Sequence, residues 1–108
     1  MSIKIIATDL DGTLMAPDHL TVTERTKSAL LKAHEKGIKI AVATGRTLTF
    51  TDSVTAQIPF ADYVVSSNGA AVYDRNKEEY VYSTLVSNAD ALEAVEFLNA
   101  LPVHYHIY

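Results

Sequence analysis

At 108 residues, with a formal charge of −4 and no cysteine, the chain is one domain's worth of polymer and excludes a disulfide framework, a thiolate metal site and a mainly electrostatic grip on nucleic acid. Its 48% hydrophobic and 20% charged content is that of a soluble globular protein and excludes disorder. No apolar run approaches the roughly 20 residues needed to span a bilayer, and a strand pattern stands where a signal peptide would be, so the expected location is the cytoplasm, with neither membrane nor nucleic acid as partner.

Residues 2–8 read as a buried strand, because a short apolar run is closed by a turn signal. The run ends on two aspartates one residue apart, Asp9 and Asp11, and Gly12 bends the backbone just after them. A solvated acidic turn is the ordinary meaning of such a pair. The alternative is a site at the carboxyl edge of a parallel sheet, where ligands of open α/β folds bind. Two close carboxylates repel, and a hard cation such as Mg²⁺ relieves that. One carboxylate can act as a nucleophile while the other moves protons. The full string Asp9-Leu10-Asp11-Gly12-Thr13-Leu14 resembles the first motif of the haloacid dehalogenase superfamily of phosphohydrolases. That resemblance implies that Asp9 is the nucleophile and a metal ligand. It implies that Asp11 is the general acid/base, with its main-chain carbonyl also on the metal.

A short loop with Pro17 and Asp18 follows. Thr21-Val22-Thr23-Glu24 matches a capping box with Thr21 as N-cap and Glu24 at N3. Apolar positions at helical spacing then predict a helix over residues 22–36, stopped by Gly37. Residues 38–43 read as a second buried strand, completing a βαβ unit. It ends at Thr44-Gly45-Arg46, where a hydroxyl, a glycine and a cation at a sheet edge suit an anion. An ordinary strand-to-helix turn has the same composition. Asp9 and Thr44 would close adjacent strands, so the two signals fall on one edge. The superfamily's second motif is a Thr or Ser at this place, and the Thr-Gly-Arg form resembles its Cof-like, type IIB, subfamily. By that resemblance Thr44 binds the phosphoryl group, and Arg46 lies near the phosphate or substrate unless it is a solvated charge at a helix start.

Residues 48–58 predict a second helix, and residues 62–67 a third strand ending at Asn68-Gly69-Ala70. Cof-like proteins carry a similar stretch, which gives Asn68 the orienting of substrate or of a site residue. A plain turn role for Asn-Gly is the competing reading. Residues 71–73 and 80–85 flank a polar tip and predict a hairpin. Ser87 caps an amphipathic helix expected over residues 88–100, stopped by Pro102. Residues 103–108 alternate like a strand, with His104 and His106 on one face. Metal ligation by that pair lacks a third ligand, so lining a cleft or meeting solvent is the expected role.

The expected fold is therefore α/β, a haloacid dehalogenase-like, Rossmann-type parallel sheet with helices on both faces, plus the start of a C2-type α/β cap. About seven residues separate Leu14 from the first helix, against a usual loop of roughly 4–6, so no cap fits there. The expected divisions are residues 1–70 for the N-terminal half of the core, 71–86 for a connecting hairpin and 87–108 for a truncated cap. The family's third motif, a lysine, and its fourth, a Gly-Asp pair, have no match, and the chain is expected to be an N-terminal piece. What the resemblance implies is an Mg²⁺-dependent phosphatase acting on small phosphomonoesters through an aspartyl-phosphate. Catalysis falls to Asp9 and Asp11, phosphate binding to Thr44, Gly45, Arg46 and Asn68, and metal binding to Asp9 and Asp11. The alternative is a catalytically incomplete phosphate- or metal-binding module that self-associates through exposed strand edges. A mutase or ATPase of the same superfamily is a third reading.

Overall fold

The computed structural model describes residues 2–108. Five strands form one sheet in the order β1 (Ile5–Thr8), β2 (Lys39–Ala43), β3 (Tyr63–Ser66), β4 (Ala71–Asp74) and β5 (Glu79–Ser83). The first three are parallel, and the hairpin β4–β5 extends the same sheet antiparallel. The hairpin closes because the Asp74 carboxylate accepts from the N–H groups of Asn76 and Lys77 at 2.9 and 3.1 Å. Pairing of Thr8 with Val42, and of Ala43 with Val65, brings the carboxyl ends of β1, β2 and β3 level. Asp9, Thr44 and the 67–69 turn thus share one edge.

Helix α1 (Glu24–Glu35) begins at Thr23, whose hydroxyl accepts from the Thr26 N–H at 3.3 Å. Thr21, expected as the cap, is committed elsewhere. Its hydroxyl donates to the Asp18 carboxylate at 2.5 Å, and that carboxylate also accepts from the Leu20 and Thr21 N–H groups. Glu24 is consequently the first helical residue, paired with Lys27 at 2.8 Å. Gly37 ends the helix as expected, at φ +83°.

The expected helix over 48–58 is broken into a 3₁₀ turn, Leu48–Thr51, and a single turn α2, Asp52–Thr55. The Thr51 hydroxyl donates to the Leu48 carbonyl at 2.6 Å, and such local bonds compete with the helical ladder. Helix α3 (Asn88–Asn99) forms where predicted, capped by the Ser87 hydroxyl at 3.1 Å from the Asp90 N–H. Residues 103–108 join no sheet, so the strand expected there is not formed. Their anchors are side-chain contacts instead, Tyr105 Oη to Asn99 at 2.7 Å and Tyr108 against Phe50.

The core lies on one face of the sheet. Ile6, Ile40, Val42 and Val64 meet Leu30 and Ala33 of α1, Val54 and Ile58 of the second crossover, and Leu10, Leu14, Met15 and Val22. Helices on both faces were expected, and among the described residues both crossovers cover the same face. Each steps in the same direction, from β1 to β2 to β3, and successive right-handed crossovers of that kind stack on one side. Ile3 and Ile5 remain exposed, and β1 is an edge strand. No helix among the described residues is long and apolar enough to cross a membrane.

Asp62 closes the end of the sheet away from Asp9. It is 1% exposed, and its carboxylate accepts from Lys39 Nζ at 2.8 Å, the Ile40 N–H at 2.9 Å and Asn76 Nδ2 at 3.0 Å. Burial pushes its carboxyl upward, but the bonds from Lys39, Ile40 and Asn76 win and hold it below the usual carboxylate range. Asp62→Ala leaves the Ile40 and Asn76 donors unpaired and is expected to cost about 1–3 kcal/mol at neutral pH. Because the folded-state value is depressed, this contribution is full above the ordinary carboxylate value and fades as pH falls through the folded one. Urea denaturation of both proteins across that range checks the magnitude and the convergence at low pH.

Candidate active site

Asp9 leaves β1 in extended conformation, φ −70° and ψ 159°, and the chain then makes one wide turn over Leu10–Leu14. The Leu14 N–H donates to the Asp9 carbonyl at 3.2 Å and the Met15 N–H to the Leu10 carbonyl at 3.0 Å. Leu10 and Leu14 are buried in the core and pin both ends of the turn. Gly12 sits at φ +77°, a left-handed conformation that a side chain would strain. The Asp9 side chain is exposed and takes no hydrogen bond or ion pair from the described residues.

Asp11 does not face Asp9 as a bare like charge. Arg46 holds it in two bonds, Nε to Oδ2 at 2.9 Å and Nη2 to Oδ1 at 2.6 Å, and His19 Nδ1 lies 3.0 Å from Oδ1. The hydrogen bonds of Arg46 and then His19 lower the Asp11 carboxyl to about 2. The same guanidinium reaches the carbonyls of His19 and Phe50, both at 3.4 Å. Arg46, expected beside the phosphate, thus turns its donors toward Asp11 and the two neighbouring loops.

Thr44 is 7% exposed. Its N–H donates to the Val65 carbonyl at 2.9 Å, and its hydroxyl oxygen accepts from the Arg46 N–H at 3.1 Å. The hydroxyl proton is left to point at an acceptor. Beyond it, Ser67, Asn68 and Gly69 have φ of +51°, +55° and +94°, three left-handed residues in a row. The turn is held because the Ser67 N–H donates to the Arg46 carbonyl at 2.8 Å and the Asn68 N–H to the Thr44 carbonyl at 3.1 Å. Asn68 is consequently aimed at Gly45, where an added Cβ would lie 2.9 Å from its Oδ1.

Asp9, Thr44, Gly45, Asn68 and Gly69 line an open notch of about 360 Å³. Beside it lies a cleft of about 620 Å³, bounded by Arg46, Thr47, Phe50, Ser67 and Tyr108 and sharing Gly45 and Asn68 with the notch. Four of the residues singled out from sequence, Asp9, Thr44, Gly45 and Asn68, thus meet in one notch, while Asp11 and Arg46 form a pair at its side. His19, Phe50 and Tyr108 were not anticipated. Phe50 had a signal, since it falls off the buried stripe of Thr51, Val54 and Ile58; His19 had none. His104 and His106 stand with ring centroids 4.7 Å apart, and among the described residues no cluster of three His, Cys, Asp or Glu side chains is arranged to hold a metal. The pairing geometry predicts that the Asp11 carboxyl titrates at about 2 in a carbon-detected NMR titration. Arg46→Gln removes the larger cause and is expected to return it toward the ordinary value, while wild-type Asp11 stays charged throughout the neutral range.

Comparison with known proteins places the chain in a family. The family described as haloacid dehalogenase-like hydrolase matches residues 6–108. An HMP-PP phosphatase of Serratia proteamaculans is 32% identical over 103 residues, covering 95% of this chain and 35% of that protein. The phosphatase BT1666 from Bacteroides thetaiotaomicron superimposes with a TM-score of 0.79 at 30% identity, over 91% of this chain and 35% of its own. The subclass IIB sugar phosphatase BT4131 does so with a TM-score of 0.71 at 27% identity, over 90% and 37% respectively. The chain spans 29–40% of the length of the first curated relatives it matches. With the motif strings, the shared sheet edge and this similarity in agreement, the chain belongs to the haloacid dehalogenase-like hydrolases, in their Cof-like branch.

Proposed function

We propose that this chain carries the nucleophile and the phosphoryl-binding notch of an Mg²⁺-dependent phosphohydrolase that acts on small phosphomonoesters through an aspartyl-phosphate. One observation supports the reading above the others. The unpaired Asp9 carboxylate opens onto the notch that also presents the Thr44 hydroxyl and the Asn68 side chain. An Asp9 oxygen attacks phosphorus, the bond from phosphorus to the ester oxygen breaks, and the departing alkoxide takes a proton from Asp11. Water then attacks the same phosphorus, Asp11 receives its proton, and the Asp9 carboxylate is restored. Thr44 donates to a non-bridging oxygen, and Gly45 leaves room for the anion beside Asn68. Arg46 acts at the edge of this phosphate site, through Asp11.

Hard oxygen donors suit Mg²⁺, which takes one or two carboxylates together with phosphate oxygens and water. The Asp9 carboxylate fits this, and the family resemblance implies that the main-chain carbonyl of Asp11, whose carboxylate is held by Arg46, would be the second donor. When bound, the ion would offset the charge of the phosphoryl oxygens. Within the intact protein we read residues 1–70 as half of the core, 71–86 as the connection and 87–108 as the start of the cap. The partner is a small phosphorylated metabolite in the cytoplasm; these 108 residues on their own leave the edge of β1 open, with Ile3 and Ile5 exposed, as a surface for self-association.

A second reading, phosphate binding without turnover, is favoured by one observation. Among the described residues no third carboxylate or histidine joins Asp9 and Asp11, and no lysine lines the notch. Phosphate release from a phosphomonoester with Mg²⁺ separates the two. Under the first reading Asp9→Asn abolishes release, and beryllofluoride forms its adduct on Asp9, seen by fluorine NMR. Asp11→Asn still captures the phosphoryl group but slows breakdown of the phosphoenzyme by about 10²–10⁴-fold. Binding of orthophosphate with no turnover and no adduct would leave the second reading standing. Gly45→Ala should fold normally, because the end of the Asn68 side chain can rotate away from the new methyl, and should bind orthophosphate more weakly in calorimetry.

A further inference from the structure

We propose that His19 is a positioning residue for the acid/base carboxyl: it holds Asp11 by Oδ1, so that Oδ2 is the oxygen that exchanges the proton once Arg46 releases the pair. This rests on the phosphatase reading of the notch. Asp11 has two side-chain partners among the described residues. Arg46 spans both oxygens, at 2.6 Å from Oδ1 and 2.9 Å from Oδ2, whereas His19 Nδ1 meets Oδ1 alone, at 3.0 Å. An ionised carboxylate only accepts, so the imidazole proton in this contact sits on Nδ1. Without the guanidinium, Oδ1 keeps a side-chain bond and Oδ2 has none. A neutral carboxyl has one carbonyl and one hydroxyl oxygen. The oxygen that accepts from His19 stays the carbonyl, and the proton belongs to Oδ2. That proton passes to the ester oxygen as its bond to phosphorus breaks, and the attacking water returns one to Oδ2.

The loop that carries His19 is built to present it. His19 stands at φ +55°, a left-handed conformation that a non-glycine residue keeps only where its surroundings fix it. Three sets of bonds fix it here. The His19 N–H donates to the Ala16 carbonyl at 3.0 Å, and the Ala16 N–H to the Thr21 carbonyl at 2.8 Å. The Asp18 carboxylate accepts from the N–H groups of Leu20 and Thr21, both at 2.9 Å. Gln57 grips the end of the loop from the second crossover. Its Nε2 donates to the Leu20 carbonyl at 2.7 Å, and its Oε1 accepts from the Val22 N–H at 2.9 Å. A tether therefore runs from Gln57 through the loop to Asp11. Its one link to the guanidinium is a long contact, 3.4 Å from Arg46 to the His19 carbonyl. Proton transfer needs the carboxyl held within hydrogen-bond reach of the ester oxygen, and this tether supplies that hold when the guanidinium does not.

The test reads the Asp11 Cα–Cβ torsion from three-bond NMR couplings in the 108-residue chain. Arg46→Gln removes the larger restraint. The expected result is that Asp11 keeps one rotamer in Arg46→Gln and loses it, with averaged couplings, when His19→Gly is added. Glycine accepts the left-handed φ, so that change removes the side chain and not the turn. His19→Asn in place of His19→Gly should restore the single rotamer, because asparagine also accepts this φ and carries an N–H donor at the same position along the side chain. Averaged couplings in Arg46→Gln alone, a rotamer that survives His19→Gly, or no rescue by asparagine would overturn the role of His19 while leaving the phosphate notch intact. The fluorine signal of the beryllofluoride adduct, formed with Mg²⁺ on the wild-type chain, tests the reading beneath it. Absence of that adduct would overturn the phosphatase reading, and proton exchange at Oδ2 with it.

Discussion

The register of β2 against β3 is the constraint on which the site depends, and Asp62 holds it. Its main-chain N–H donates to the Ile40 carbonyl at 2.7 Å while its carboxylate accepts from the Ile40 N–H at 2.9 Å. One residue thus grips both polar groups of its neighbour on the adjacent strand. A slip of one residue would turn Val64 out of the core and Val65 into it. It would also part the 67–69 turn from Thr44, because the bonds from Ser67 and Asn68 to Arg46 and Thr44 need the strand ends level. The buried carboxylate at one end of the sheet and the strained turn at the other are two ends of one alignment.

That alignment explains why three consecutive left-handed residues persist. Non-glycine residues at positive φ cost of order 1–3 kcal/mol each where structure must over-determine them. Ser67 and Asn68 are over-determined by bonds from their own N–H groups to the neighbouring turn, and asparagine tolerates this conformation better than most. The return is position: Asn68 is brought close enough to Gly45 that only a glycine fits without displacement. The two strand-end turns are bonded into one rim, and the polar groups that line the notch are mounted on it.

What could be read from the sequence was local, and what could not was distant. The strand ending in Asp9, the glycine after α1, the serine cap of α3 and the hairpin each follow from a few adjacent residues, and all form close to where expected. The misplaced cap of α1 shows where local reading fails. Thr21 and Thr23 are both plausible caps, and the choice falls to Asp18, whose carboxylate binds Thr21. The 48–58 segment fails for a similar reason, because threonine hydroxyls bond the backbone and break a continuous helix. The pairing of Arg46 with Asp11 spans 35 residues, and no periodicity or spacing encodes it. Placing both crossovers on one face was legible in principle, from the strand order, but that order is itself a product of the fold.

The Arg46–Asp11 pair carries a consequence for the proposed chemistry. A carboxyl held at about 2 is a proton acceptor at neutral pH and has no proton to give. In the second half of the proposed cycle, where Asp11 takes a proton from water, the paired carboxylate is in the basic form, while the same bonds weaken it as a base. In the first half, where the leaving group needs a proton, Arg46 has to let go. Its other contacts, to the carbonyls of His19 and Phe50 at 3.4 Å, are long compared with the 2.6 and 2.9 Å bonds to Asp11, so the guanidinium is anchored chiefly by the carboxylate itself. Asp11 stands beside Gly12 in a wide turn whose ends are pinned by Leu10 and Leu14. An incoming phosphate, bearing more negative charge than one carboxylate, competes for the same guanidinium. Loosening of the guanidinium bonds would move the Asp11 carboxyl back toward its ordinary value, the direction that proton donation requires.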